Sequence, residues 1–154
     1  MAIRHFSYGG TAAVVTSLGL IVGLDAATAA KATILSGLLI VAIADNLTDS
    51  LSIHIYQESE RLEARQAFHA TLTNFAARLG LSLSFVCLVL LLPMGAAVIA
   101  STIWGLLLLT GLTFLVARDR NVPALPEIAK HLVVAGGVMA AGKAIGYLVL
   151  AGIT

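Results

Sequence analysis

The sequence predicts an all-α membrane protein of five transmembrane helices, with the N-terminus in the cytoplasm and the C-terminus outside. Three observations predict it. Of 154 residues, 59% are hydrophobic and only 11% charged, and the mean hydropathy is +0.99. Several apolar runs approach or exceed the roughly 20 residues that cross a bilayer as a helix. The cations fall almost entirely on alternate connections between those runs. The same composition excludes other classes. A net charge of +1, from few and scattered basic residues, carries no nucleic-acid signature. A single cysteine, Cys87, excludes an intramolecular disulfide or a multi-cysteine metal cluster.

The first span is expected over residues 8–24. It follows Arg4 and His5 and lacks a convincing small-residue cleavage site, so it reads as a span rather than a leader. Gly19 and Gly23 form a GxxxG pair with Thr16 on nearly the same face, a surface that lets helix backbones approach closely in lipid. The second span, 32–55, has no proline or glycine after Ser52 to stop it and is expected to project beyond the membrane. Residues 57–70 read as a short cytosolic amphipathic segment in which Glu58, Arg61 and Arg65 are spaced for pairing.

The third span covers 72–92, with Asn74 and Arg78 in its first two turns. Pro93-Met94-Gly95 is a tight turn by composition, so spans three and four, the latter over 96–116, form a hairpin. Residues 117–130 hold Arg118, Asp119, Arg120, Pro123, Pro126 and Glu127 and read as an exposed loop. The fifth span, 131–152, is glycine-rich and contains one anomaly, Lys143. Arg4, Arg61, Arg65, Arg118, Arg120 and Lys130 gather on one side of this arrangement, and only Lys31 on the other. The excess of cations on cytoplasmic connections sets the orientation. All 154 residues make one membrane domain whose first partner is the lipid bilayer.

Within the second span, residues 42–60 read AIADNLTDSLSIHIYQESE. On a wheel of 100° per residue with Asp45 at zero, Asp49 falls at roughly 40°, Ser52 at roughly −20° and Thr48 at roughly −60°. Asn46 and Ser50 extend the polar arc to roughly 140°. Carboxylates inside a membrane are costly and need a reason. Asp45 and Asp49, one turn apart with Asn46, Ser52 and Thr48 nearby, offer hard oxygen donors suited to Mg²⁺, Ca²⁺ or Mn²⁺, and to Fe²⁺ less selectively. They also repel one another, which makes one of them a candidate proton carrier. The bland alternative is local satisfaction, with Asp45 paired to a basic residue. His54 and Glu58, an i,i+4 pair on another face, form a weaker candidate for metal binding. Lys143 matches Asp45 in depth to within roughly two turns, and either pairs with it as its charge partner or snorkels to the outer surface. Arg78 and His131 are expected to be interfacial anchors.

These segments resemble the vacuolar iron transporter family. The first span, TAAVVTSLGLIVGL, is similar to that family's small, glycine-rich first helix. The run ILSGLLIVAIADNLTDSLSIHIYQESE is similar to its second helix, and VVAGGVMAAGKAIGYLV to its last. The resemblance is to a divergent, prokaryotic-type branch. It implies five spans with the N-terminus inside, a homodimer, residence in the inner (plasma) membrane of a bacterium or archaeon, and transport of Fe²⁺ or Mn²⁺ against protons. The metal is then substrate rather than resident cofactor. The departures matter. Ala12 stands where the family has an acid, Asp49 where it has a methionine, and Ile53 near a family glutamate. The cytosolic metal-binding segment shrinks to residues 57–70. Asp45 and Asp49 would have to take over ligation. The rival expectation is a non-transporting membrane protein whose polar second helix mediates dimerisation or binds a partner. An enzyme is not expected, for want of a nucleophile–base pair or zinc triad.

Overall fold

The computed structural model describes residues 2–59 and 64–153, with side chains described at 9–52, 54–56, 68–69 and 71–152. Five helices account for nearly all of them: α1 (Ala2–Ala26), α2 (Lys31–Ser59), α3 (Ala64–Leu91), α4 (Met94–Asp119) and α5 (Ala124–Ile153). Each is long and apolar enough to cross a membrane, and the five together mark an integral membrane protein.

α1 is the hub. It packs on all four other helices, which follow around it in chain order, α2 on α3, α3 on α4 and α4 on α5. Within the apolar windows, 44% of α1 is buried, against 28% or less elsewhere. Its composition explains this. Ala13 and Ser17 are buried, and glycines at 9, 10, 19 and 23 remove the side chains that would hold neighbours apart. Val14, Leu18 and Ile21 supply the apolar centre, with Ile34 and Leu38 of α2, Phe85 and Val89 of α3 and Leu109 of α4.

The expected GxxxG surface finds its counterpart on α5. A Cβ on Gly142 would lie 2.7 Å from the Gly19 carbonyl oxygen, and one on Gly146 would meet the Gly23 carbonyl and the Ala27 amide. The two backbones therefore touch, running in the same direction, with an apolar groove along the seam. This packing sits on the side of α1 that faces α5, leaving its first turns to meet α3 at Gly9.

The connections are tighter than the sequence suggests. α1 ends with Thr28 N–H donating to Asp25 O and Ala29 N–H to Leu24 O; α4 ends with the same pair of bonds, Asn121 to Arg118 and Val122 to Ala117. Thr28 and Asn121 each hold φ at 54°, as this helix ending requires. α5 begins at Ala124, well before the expected 131. The reason is that Pro126 lies in its first turn, where a missing N–H leaves no bond unmade. Helix α2 runs on to Ser59 and α3 starts at Ala64, so both enter the segment assigned to a separate amphipathic piece. Glu60, Arg61 and Glu63, and the side chains of Arg4, Gln57, Glu58 and Arg65, lie outside the described residues.

Lys31, at the start of α2, donates from Nζ to the carbonyls of Leu90 and Leu92, each at 2.9 Å. It ties α2 to the carbonyl end of α3, where a cation also opposes the helix dipole. Lys31→Met is expected to lower stability by about 1 kcal/mol, read as a lower unfolding midpoint in detergent.

Candidate functional site

The polar arc of α2 meets Arg78 of α3. Its side chain is 1% exposed and donates three ways: Nε to Asn46 Oδ1 at 2.7 Å, Nη2 to Asp45 Oδ2 at 2.6 Å, and Nη1 to Asp49 Oδ2. The carboxylates are far more open, Asp45 at 44% and Asp49 at 39%. A guanidinium presents its donors as a planar fork that suits several oxygens at once. The i,i+1 and i,i+4 spacing of Asp45, Asn46 and Asp49 places those oxygens on one strip of α2. Asp45 is about 16 Å from Tyr56, and Arg78 about 10 Å from Thr71, at 1.5 Å per residue; Tyr56 and Thr71 bound the apolar stretches of their helices. The cluster lies inside the membrane-spanning part of the bundle.

The direction of burial sorts the candidate ligands. Ala42, Asn46 and Ser50 are buried, so α2 faces α3 between roughly 60° and 140° on the wheel. Asp45 and Asp49 occupy the shoulder of that face. Thr48 and Ser52 fall beyond it, exposed, and return their hydroxyls to their own helix, to Ala44 O and Thr48 O at 2.9 Å each. Asp45, Asp49 and Asn46 are thus brought together, whereas Thr48 and Ser52 are not. His54 is half-buried one turn beyond Ser50, and its expected companion Glu58 lies outside the described side chains.

Two expectations are corrected. Lys143 does not pair with Asp45. Its Nζ lies 5.8 Å from the centroid of the Tyr147 ring, on a helix that packs against α1 and α4. Equal depth in the membrane does not bring two helices into contact. Nor is Arg78 an interfacial anchor, since it is buried against α2 and α1. His131 shares a hydrogen bond between its Nδ1 and Thr113 Oγ1 at 3.1 Å, joining α5 to α4.

A second layer of polar groups lies beside the cluster. Asn74 is one turn before Arg78 on α3 and wholly buried, and neither its Oδ1 nor its Nδ2 has a hydrogen-bond partner among the described residues. Ser50 Oγ and Asn46 Nδ2 are likewise buried without a partner. The antiparallel register that sets Arg78 against residues 45–49 brings Asn74 to the level of Ser50. Gly9 of α1 covers both α3 residues: a Cβ there would collide with Asn74 Oδ1 and lie 2.9 Å from Arg78 Cδ. Unpaired buried polar groups are costly and uncommon, and here they border two carboxylates. Among the described residues no three His, Cys, Asp or Glu side chains gather, so a cation held here would draw on amide and hydroxyl oxygens as well.

No family model matches the chain, and neither characterised proteins nor solved structures provide a match.

Proposed function

We propose that this protein is a cation transporter whose binding residues are Asp45 and Asp49 of α2, with Arg78 of α3 as their counter-charge. The observation that carries the reading is the buried guanidinium bridging two half-exposed carboxylates within the apolar spans. One guanidinium meets two carboxylates, so with both acids ionised the cluster keeps one uncompensated negative charge. Such a charge in a membrane attracts a cation. The oxygen donors, and the resemblance of the helices, point to Mn²⁺ or Fe²⁺ as substrate. Exchange of the metal against protons belongs to the same reading, as the resemblance of the helices implies.

The orientation belongs to the same reading. Arg118, Arg120 and Lys130 lie at the end of the bundle where α4 passes to α5 and α2 to α3, while Lys31 is at the other. Cation-rich connections stay inside, which puts the N-terminus in the cytoplasm and the C-terminus outside. The site is tested by Mn²⁺ and Fe²⁺ flux in reconstituted vesicles. Asp45→Asn and Asp49→Asn should each reduce flux about tenfold or more, the loss of one charge-assisted ligand being worth at least 1.4 kcal/mol. Unchanged flux in both variants would falsify the reading.

A second reading rests on the exposure of the same carboxylates. Oxygens open on the outer side of α2 do not belong against lipid tails, and a second copy of the chain would cover them as a homodimer with hydrogen bonds between helices. It expects Asp45→Asn to leave the oligomer intact and flux to be absent in every variant.

A further inference from the structure

We propose that Arg78 is a tethered cation: it occupies the Asp45 and Asp49 carboxylates until a substrate cation displaces it, and Asn74 then receives the displaced guanidinium. The proposal rests on the reading of the two aspartates as the cation site and adds how that site is guarded.

The geometry separates the two approaches to the carboxylates. Arg78 holds one oxygen of each acid from the buried side of α2, and both acids remain about two-fifths exposed on the other. A cation can therefore reach the acids without first crossing Arg78. Once there it draws on the same two carboxylates and repels the guanidinium at close range, so both cannot be held at full strength. The arginine cannot yield by losing its proton, because guanidinium stays charged in proteins. It has to move, and a buried charge moves only to another acceptor.

Asn74 supplies that acceptor. It stands on the same helix one turn away, wholly buried, with its amide oxygen unengaged among the described residues. Both groups lie against the glycine at position 9 of α1: a Cβ there would take the place that Asn74 Oδ1 and the Arg78 stem now fill. The guanidinium is one rigid plane, so the swing also gives up the bond from Nε to Asn46 Oδ1. The unsatisfied amide makes no bond to Arg78 where the arginine now lies, whereas the bare glycine gives the arginine's stem its room there.

The test is Mn²⁺ binding to the purified full chain in detergent micelles, by equilibrium dialysis, for wild type, Arg78→Gln, Arg78→Lys and Asn74→Leu. Arg78→Gln removes the competitor and should bind Mn²⁺ about tenfold tighter, while Arg78→Lys keeps a tethered charge and should stay within about threefold of wild type. Asn74→Leu deletes the waiting acceptor and should bind about fivefold more weakly. It is also the safeguard against misfolding, since it replaces an unpaired buried amide by an apolar group of similar shape, which proteins tolerate. Wild-type affinity in Asn74→Leu overturns the proposal, and so does unchanged or weaker binding in a folded Arg78→Gln protein. If wild type and all variants fail to bind Mn²⁺ at millimolar concentration, the assignment of the aspartates falls as well.

Discussion

The double variant Asp45→Ala/Asp49→Ala is expected to be the most damaging change in the protein, lowering stability by about 3–5 kcal/mol. The reason lies with the partner. Arg78 is 1% exposed and guanidinium stays charged in proteins, so losing both carboxylates leaves a cation inside the bundle with only neutral amides, Asn46 and Asn74, to receive it. Either single alanine leaves one carboxylate on the guanidinium and should cost about 1–2 kcal/mol. Removing the cation together with both acids, in Asp45→Ala/Asp49→Ala/Arg78→Leu, should restore most of the loss, because no buried charge remains. Unfolding midpoints in one detergent would measure all of these. A double variant no worse than either single would mean that Arg78 reaches water or another acceptor.

The second large effect concerns the seam between α1 and α5. Gly142→Val is expected to destabilise the bundle by about 2–3 kcal/mol. Its first added carbon would sit 2.7 Å from the Gly19 carbonyl oxygen and 3.6 Å from Gly23 Cα, and both neighbours are backbone, which cannot step aside. The helices must separate, and in lipid close packing is what joins them. Gly136→Val on the same helix is the control. Nothing lies within 4 Å of the position a Cβ would take there, so its midpoint should stay near that of wild type.

Much of this architecture is legible in the sequence, because the signal for a membrane helix is length and apolarity, and both are local. The five helices follow from the apolar runs, and Gly19 with Gly23 correctly marks a close-packing surface. The ends are less legible. Pro126 looks like a loop residue, yet it opens α5, where proline is harmless. For the site, the polar arc of α2 could be read from the spacing of Asp45, Asn46 and Asp49 alone. Its partner is not legible in this way, because equal depth in the membrane does not tell which helices touch. Lys143 matches Asp45 in depth, but α5 packs on α1 and α4. A usable signal for Arg78 did exist. Asn74, Arg78, Ser82, Phe85 and Val89 recur at helical spacing and are all buried, forming one inward stripe of α3. A cation on that stripe needs an anion on a neighbouring helix, and α2 is the neighbour in sequence.

The central claim is that Asp45 and Asp49 form a cation site which Arg78 occupies at rest. The most direct measurement is the anomalous signal of Mn²⁺ in crystals of the wild-type protein, with and without the ion. The account predicts a peak beside the carboxylates of Asp45 and Asp49 and, in the same crystals, Arg78 turned from the acids towards Asn74. A protein saturated with Mn²⁺ that shows no peak there, with Arg78 still bridging both aspartates, would contradict it.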